Sequence, residues 1–182
     1  MHPWHDVPLG DDAPDTATAI IEVPRESRIK YELDKELGLI RISHALYPPV
    51  PYPGNYGFFP RTLDDDGDPL DVLVVMRDPV SPLTLVPVRP IGVVRMTDGD
   101  ARDDKVLCVM VDDPVYAEYG SFEDLPDYER KTIGWFFEEY QDVTRDAVEV
   151  ASIAGVEEAC EDIRRCAKQY RDRFEGVGVG HS

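Results

Sequence analysis

Five aspartates fall within eight residues at the start of the stretch Asp64–Val75, which then continues as an apolar run, DDDGDPLDVLVV. Carboxylates this close repel one another and raise one another's pKa unless a positive charge lies among them. Carboxylate oxygens are also the ligands that Mg²⁺ and Mn²⁺ prefer. Gly67 permits a sharp turn between Asp66 and Asp68, and Asp71 follows at the start of a predicted strand. The stretch therefore favours a carboxylate site for magnesium.

The acidic stretch has two competing interpretations. The first is a solvated surface loop, because the whole chain is acidic. The second is an EF-hand calcium loop, which requires glycine at position 6 and glutamate at position 12. A register that begins at Asp64 puts Pro69 at position 6 and Val75 at position 12, and one that begins at Thr62 puts Leu73 at position 12. Both registers lack the final glutamate, so the EF-hand is set aside.

A second acidic segment, MTDGDARDDK, lies between two apolar runs. It offers Asp98 and Asp103 as further oxygen ligands, and Lys105 follows them. Further upstream, the runs IEVP and IKYE put Glu22 and Lys30 on predicted strands. We expect the two acidic segments to converge at one end of the folded domain.

The elements that must position these residues begin with short strands. The runs ATAIIEVP, SRIKYELD and KELGLIRIS predict three of them in the first fifty residues. Three more are predicted at Val72–Arg77, Ile91–Thr97 and Lys105–Val111. The stretch Tyr47–Arg61 contains five prolines, which predicts a long, rigid loop and excludes a helix or a central strand.

Two helices are predicted in the C-terminal half. One begins at Pro126 or Asp127 and carries Phe136 and Phe137 on its apolar face. The other repeats apolar residues at helical spacing over 156–174. Strands first and helices last predict an α+β fold, a small closed or partly closed β-barrel of the OB type with these helices packed on it.

The length of 182 residues predicts one well-buried core and a single domain. We assign residues 1–15 to an N-terminal arm, 16–175 to the single domain and 176–182 to a flexible tail. His2 and His5 lie in the arm and are interpreted as structural residues, not as a metal pair. The three cysteines show no CxxC spacing, which predicts reduced, structural thiols.

The composition excludes several classes of partner. A net charge of −18 disfavours nucleic acid, because phosphates would be repelled. The chain contains no apolar stretch long enough for a membrane span and no signal peptide pattern, which predicts a cytoplasmic protein without a membrane partner. Arginine supplies 14 of the 19 basic residues, and so acidic a chain with so little lysine suggests a halophilic source.

Taken together, these segments resemble the soluble inorganic pyrophosphatases of the single-barrel, magnesium-dependent family I. The resemblance rests on DGDPLDVLVV, which fits the Asp-x-Asp-Pro-x-Asp signature, and on the blocks IEVP, KYELDKE, YPGNYGFFPRTL, MTDGDARDDK and FFEEYQD. These blocks run in order from Ile20 to about Asp142, and the leading HPWHD is similar to the extension of plant-type members. The resemblance implies hydrolysis of pyrophosphate to two orthophosphates by Mg²⁺-activated water. It also implies a homo-oligomer, with a hexamer favoured over a trimer.

The resemblance further implies a role for individual residues. Asp68, held by Pro69, would be the catalytic proton acceptor. The implied metal ligands, for Mg²⁺ or another divalent ion such as Mn²⁺, are Asp66, Asp71, Asp98, Asp103 and Glu22, the last acting through metal-bound water. The implied substrate-binding residues are Lys30, His44, Tyr56, Lys105 and Tyr140. Core packing remains an alternative for the two tyrosines, and the remaining acids of the first stretch, Asp64 and Asp65, are assigned to the acidic surface.

Two positions depart from the family pattern. His44 lies where the family commonly has a phosphate-binding arginine, and Gln141 lies where it has a lysine. Both changes remove positive charge from the expected phosphate site, which predicts a stronger dependence on Mg²⁺ concentration. Compensation by Arg41, Arg61 or Arg145 stays open at this point.

A non-catalytic divalent-ion binding domain is the alternative of a different class. Its carboxylates would buffer or sense metal ions without hydrolysis. Asp68 discriminates between the two, because its replacement by asparagine should lower turnover in a hydrolase but only metal affinity in an ion-binding domain.

Overall fold

The computed structural model of the chain describes residues 1–46, 50–98, 101–139 and 148–176. The strands formed by these residues are β1 (Ala17–Val23), β2 (Ile29–Asp34), β3 (Leu39–Ala45), β4 (Asn55–Phe58), β5 (Asp71–Val75), β6 (Leu85–Asp98), β7 (Ala101–Arg102), β8 (Lys105–Met110) and β9 (Val148–Ala154). Their α-helices are α1 (Pro3–Asp6), α2 (Asp127–Glu139) and α3 (Val156–Tyr170). None of the helices in these ranges is long and apolar enough to cross a membrane.

A mixed sheet of seven strands forms the centre of the fold, and β2 and β3 form a separate antiparallel hairpin. Strand β1 pairs with β4 on one side and with β6 on the other, so the series β1-β4-β5-β8-β6 closes into a ring. Strands β7 and β9 extend the sheet by pairing with β6. Together with α2 and α3 in the C-terminal half, this ring confirms the predicted α+β fold.

Strands β5 and β8 lie side by side and run parallel. Asp71 at the start of β5 is directly opposite Lys105 at the start of β8. Because the two strands run in the same direction, the acidic segments that precede them reach the same edge of the sheet. This pairing brings the two acidic segments together, as the sequence predicts.

Both faces of β5 are buried, which explains its unbroken apolar sequence. Val72 packs in one hydrophobic cluster with Ile163 of α3, and Leu73 packs in a second cluster with Phe136 of α2. Since neighbouring residues of a strand point to opposite faces, the two helices cover opposite sides of β5. The cysteines are free and buried, as expected for structural thiols: Cys108, Cys160 and Cys166.

The proline-rich stretch Tyr47–Arg61 contains the central strand β4, so the prediction of a loop throughout is wrong. The segment between Pro53 and Pro60 has no proline, and its backbone pairs with β1 and β5. A Cβ atom on Gly57 would lie only 1.9 Å from the carbonyl oxygen of Ile20. Glycine therefore lets β4 approach β1 closely enough to join the ring.

Strand β9 is a second element that the sequence predictions do not include. Its sequence, VEVASIA, starts with apolar-polar alternation but breaks it at Ala151 and Ser152, and its backbone pairs antiparallel with β6, with Ile153 opposite Val94. The short run of alternation is too brief to identify the strand from the sequence.

Residues 1–15 pack against the domain through α1. Trp4 is buried, and its Nε1 donates a hydrogen bond to the carbonyl oxygen of Thr62 at 2.8 Å. His5 Nδ1 lies 2.7 Å from the hydroxyl oxygen of Tyr170 at the end of α3. The arm is thus attached to both the loop before the acidic stretch and the last helix.

Candidate active site

A cavity of about 610 Å³ opens between the β2–β3 hairpin and the edge of the sheet where β5 and β8 begin. Its charged lining has two parts. The carboxylates are Glu22, Glu32, Asp34, Glu36, Asp66, Asp68, Asp71 and Asp103. The cations are Lys30, Lys35, Arg41 and Lys105. The excess of negative charge makes this cavity attractive to additional cations.

Lys105 lines the cavity and is buried. Its Nζ donates a hydrogen bond to Asp71 Oδ2 at 2.5 Å and contacts Asp103 Oδ1. Burial alone would lower the pKa of Lys105, but the two carboxylates raise it above its ordinary value. The Tyr56 hydroxyl donates to the same Asp71 oxygen at 2.7 Å. Asp71 at the start of β5 and Lys105 at the start of β8 therefore belong to one hydrogen-bonded cluster.

The acidic loop before β5 turns at Gly67, whose φ is +87°, a conformation that favours glycine. The turn lets the backbone N–H of Asp68 donate to Asp66 Oδ1 at 2.9 Å. Partial desolvation raises the pKa of Asp66 to about 6, and the carboxylates of Asp68, Asp71 and Asp103 add to the rise. The acids of both segments are thus close enough to influence one another electrostatically.

Glu22 lies on β1 and is only 8% exposed. Its Oε1 accepts a hydrogen bond from the backbone N–H of Leu33 on β2 at 2.7 Å, which ties the hairpin to the ring. Burial raises the pKa of Glu22 to about 8, and the Asp71 carboxylate contributes in the same direction. Without additional positive charge, Glu22 is protonated at neutral pH.

We expect this shift to make stability depend on pH in metal-free buffer. Because the pKa of Glu22 in the folded state is above the ordinary 4.5, folding takes up a proton between about pH 4.5 and about pH 8. The stabilisation from this proton is complete below pH 4.5 and is lost as pH rises towards 8. The free energy of unfolding of wild type minus that of Glu22→Gln should fall by about 2 kcal/mol from pH 5 to pH 7 in urea titrations with EDTA. A constant difference over this range would contradict a buried, protonated Glu22.

Lys35 is a cavity residue that the sequence predictions miss. It lies in the turn between β2 and β3, and its Nζ contacts Asp68 Oδ1 across the cavity. The turn is held by Asp34 Oδ1, which accepts from the backbone N–H of Leu37 at 2.9 Å, and by the N-terminal arm, where His2 Nε2 lies 3.1 Å from the Lys35 carbonyl oxygen. The block KYELDKE contains Lys35, but only the packing of the hairpin over the acidic loop shows which residue it faces.

The three candidate arginines have different positions. Arg41 lines the cavity but is already paired with two carboxylates. Its Nε lies 3.1 Å from Glu32 Oε1, and its Nη1 lies 3.6 Å from Asp34 Oδ2. Arg61 is not part of the cavity lining, and its Nε donates to the carbonyl oxygen of His5 at 3.1 Å. Arg145 lies outside the described residues.

The remaining predicted substrate residues fall into two groups. Lys30 lines the cavity, and its register partner on β3 is His44. His44 is not among the lining residues, and its Nδ1 lies 3.2 Å from Ser43 Oγ. Tyr140 lies outside the described residues, as does Gln141.

The predicted metal ligand Asp98 is described only in its backbone. It ends β6 opposite Ala101 and Val148, and its side chain lies outside the described part of the structure. The other four predicted ligands, Glu22, Asp66, Asp71 and Asp103, all line the cavity.

Asp64 is buried, so its assignment to the acidic surface is wrong. Its Oδ1 accepts a hydrogen bond from Arg165 Nη2 on α3 at 2.8 Å. Asp65 does remain exposed, although Gln169 Nε2 donates to it at 2.9 Å. A partner 101 residues away in the sequence explains why the acidic stretch can bury one of its carboxylates.

The donor chemistry of the cavity fits a hard divalent cation, because its acidic side chains offer only oxygen ligands. Among the described residues, no three acidic, histidine or cysteine side chains already meet as a metal site. Lys105 lies between Asp71 and Asp103, and Lys35 contacts Asp68. Metal binding would therefore require these carboxylates to exchange ammonium contacts for metal contacts.

Comparisons with known proteins agree on one family. The family model described as inorganic pyrophosphatase matches residues 19–171. The soluble inorganic pyrophosphatase 2 of Chlamydomonas reinhardtii is 44% identical over 173 residues, which cover 95% of this chain and 90% of the relative. The soluble inorganic pyrophosphatase 1 of Arabidopsis thaliana is 42% identical over 171 residues, covering 94% of this chain and 81% of the relative.

Solved structures give the same result. The crystal structure of inorganic pyrophosphatase from Thermus thermophilus is similar with a TM-score of 0.86 and 36% identity, covering 93% of this chain and 99% of that one. The inorganic pyrophosphatase of Helicobacter pylori is similar with a TM-score of 0.85 and 34% identity, covering 91% and 99%.

Proposed function

The chain belongs to the inorganic pyrophosphatase family and is a hydrolase of the phosphoanhydride bond of pyrophosphate, and we propose that it works with Mg²⁺ in the cavity between the hairpin and the sheet. The observation that carries the proposal is the convergence of both acidic segments on the starts of β5 and β8, with lysines among them. The products are two orthophosphates.

Pyrophosphate is a polyanion, so it cannot enter a cavity rich in carboxylates without additional positive charge. We assign metal binding to Asp66, Asp71 and Asp103, with Glu22 acting through metal-bound water and Asp98 as a further ligand. Bound Mg²⁺ would supply neutralisation of the phosphates and a water molecule of lowered pKa. Mn²⁺ prefers the same oxygen ligands and is a second candidate ion.

Asp68 is our candidate for the proton acceptor. Pro69 follows it and restricts its backbone to extended conformations, while its carboxylate lines the cavity. A carboxylate beside the ligands, but not itself a ligand, is suited to take the proton of the attacking water. Its contact with Lys35 orients the side chain.

Phosphate binding is assigned to Lys30, Lys105 and Tyr56, with Tyr140 and His44 as further candidates. Lys105 Nζ and the Tyr56 hydroxyl both donate to Asp71, so they lie on the same side of the cavity. Each can exchange this contact for a phosphate oxygen, the lysine as a point charge and the tyrosine as a hydroxyl donor.

Lys35 is our candidate for the positive charge that His44 and Gln141 do not supply. Arg41 is already paired with two carboxylates, whereas Lys35 has one carboxylate partner among the described residues and is half-exposed at the cavity wall. A half-exposed ammonium can move from Asp68 to a phosphate oxygen at little cost.

We expect Lys35→Gln to raise the KM for pyrophosphate about tenfold, because one charge-assisted hydrogen bond to phosphate is lost. The measurement is steady-state phosphate release at saturating Mg²⁺. The matched control is Lys168→Gln on the exposed side of α3, which should keep the KM of wild type. A fall in kcat at constant KM would instead make Lys35 a residue that orients Asp68.

The test of the proposed function is phosphate release from pyrophosphate, with Mg²⁺ and with EDTA, at low and high salt. We expect release only with the divalent ion. Binding of Mg²⁺ without any phosphate release would favour the ion-binding domain and contradict the proposal.

We further propose a cytoplasmic homo-oligomer, with a hexamer favoured, that tolerates or requires high salt. Trp135 and Tyr128 on α2 are 51% and 79% exposed, and such aromatic side chains are common in interfaces between subunits. With a net charge of −18, the folded chain is expected to be more stable in salt, because screening reduces the repulsion among its acidic side chains.

A further inference from the structure

Six charged residues connect α3 to both acidic segments. We call this group the α3 ion-pair network, and its members are Asp64, Arg95, Arg102, Asp104, Asp162 and Arg165. Its three aspartates are all buried, which distinguishes the network from ion pairs on the surface. None of its members lines the cavity, so any effect of the network on the site passes through neighbouring residues.

The first acidic loop is attached to α3 by Arg165. Arg165 Nη2 donates to Asp64 Oδ1 at 2.8 Å, and its Nη1 donates to Asp65 Oδ1 at 3.2 Å. One residue further along α3, the carbonyl oxygen of Cys166 accepts from the backbone N–H of Leu63 at 2.9 Å. The start of the loop is therefore fixed at both backbone and side chain.

Asp64 in turn closes the turn that carries the predicted ligand Asp66. The backbone N–H of Asp64 donates to the carbonyl oxygen of Asp68 at 2.7 Å, and the N–H of Gly67 donates to the carbonyl oxygen of Asp64 at 3.1 Å. A movement of Asp64 would thus move the whole turn.

The second acidic segment is attached through Asp104. This residue lies between Asp103 and Lys105, both of which line the cavity. Asp104 Oδ2 accepts from Arg95 Nη1 at 2.6 Å and from Arg102 Nε at 2.6 Å. Because Asp104 is held, the backbone on either side of it, which carries the two cavity residues, is held as well.

Asp162 joins the two attachments. It lies one helical turn before Arg165, with its Oδ1 at 3.6 Å from Arg165 Nε. Its Oδ2 accepts from Arg95, and its Oδ1 lies 3.7 Å from Arg102 Nη1. One turn of α3 therefore holds both acidic segments relative to each other.

We propose that Arg165 and Asp162 are positioning residues that hold the two acidic segments at the separation required by the divalent ions. This inference rests on the proposed function, since it concerns the same site. Replacing a residue that orients metal ligands without binding the metal commonly weakens metal affinity by about 10- to 100-fold. The network identifies the C-terminal helix, remote from the cavity, as a determinant of metal affinity.

The test uses the full-length protein and Mg²⁺ itself, with isothermal titration calorimetry as the readout. We expect Arg165→Gln to weaken Mg²⁺ binding by about tenfold or more. The Mg²⁺ concentration for half-maximal phosphate release should rise by the same factor, while kcat at saturating Mg²⁺ stays within about twofold. Arg165→Lys should recover part of the affinity, because it restores the charge but not the paired hydrogen bonds.

The neighbouring Arg164→Gln is the matched control, since Arg164 is exposed on α3 and, among the residues that the structure describes, forms no ion pair with a member of the network. It should bind Mg²⁺ as wild type does. Arg102→Gln provides a milder variant should Arg165→Gln fail to fold, because Arg102 is 40% exposed. We expect it to weaken Mg²⁺ binding about threefold, chiefly through Asp104, because its contact with Asp162 is longer at 3.7 Å.

Unchanged Mg²⁺ affinity in the folded variants, with only a lower melting temperature, would overturn the inference and leave the proposed function intact. A wild-type protein that binds Mg²⁺ but releases no phosphate would instead overturn the proposed function. The calorimetric comparison of variants would still decide the role of Arg165 in that case.

Discussion

Asp68→Asn should lower kcat by about 10³-fold and leave Mg²⁺ affinity within about threefold of wild type. Asparagine keeps the shape of the side chain and one oxygen acceptor, but it cannot take a proton from the attacking water. The backbone hydrogen bond from Asp68 to Asp66 is retained, so the turn that carries the metal ligands should not change. The substitution thus removes basicity with little change in geometry.

The measurement combines phosphate release with Mg²⁺ calorimetry on the same protein preparation. Asp12→Asn, an exposed residue of the N-terminal arm, controls for the loss of one negative charge and should match wild type in both. An equal loss of turnover and Mg²⁺ affinity would indicate that Asp68 is a metal ligand. Turnover close to that of wild type would contradict a role for Asp68 as proton acceptor.

Much of this site could be predicted from local patterns. The spacing of the aspartates around Gly67 predicts the turn, and the unbroken apolar run after Asp71 predicts a strand buried on both faces. Both properties depend on residues close together in the sequence. Four of the five predicted metal ligands accordingly line one cavity, and the fifth, Asp98, is not described in its side chain.

The features that escaped prediction depend on distant contacts. Lys35 meets Asp68 over 33 residues, and Arg165 meets Asp64 over 101 residues, so no local pattern marks either pair. Strand β4 escaped for a different reason, because the prolines around it obscure a short proline-free segment. The sequence signal for β4 is Gly57. The reason for a glycine at this position becomes visible only when β1 is known to lie against it.

Replacing Lys105 with methionine is expected to lower the free energy of unfolding by about 3 to 5 kcal/mol in metal-free buffer. Methionine has an unbranched side chain and fills much of the volume of the lysine, but it leaves the carboxylates of Asp71 and Asp103 together without their shared ammonium group. Urea unfolding in EDTA measures the loss. Lys131→Met is the matched control, because its ion pair with Asp127 on α2 is exposed, and it should change stability by no more than about 0.5 kcal/mol.

Adding Mg²⁺ should restore more stability to Lys105→Met than it adds to wild type. An ion that binds only the folded state stabilises it by RT ln(1 + L/Kd), where L is the free ion concentration and Kd its dissociation constant. In wild type, Mg²⁺ must compete with the Lys105 ammonium group for Asp71 and Asp103, whereas in the variant these carboxylates have no competing cation and repel each other until a metal binds. Equal stabilisation of both proteins by Mg²⁺ would mean that lysine and metal do not share these carboxylates. Pyrophosphate hydrolysis should nevertheless remain low in the variant, because Mg²⁺ can replace the charge that Lys105 gives to the carboxylates but not the hydrogen-bond donor that it offers to phosphate.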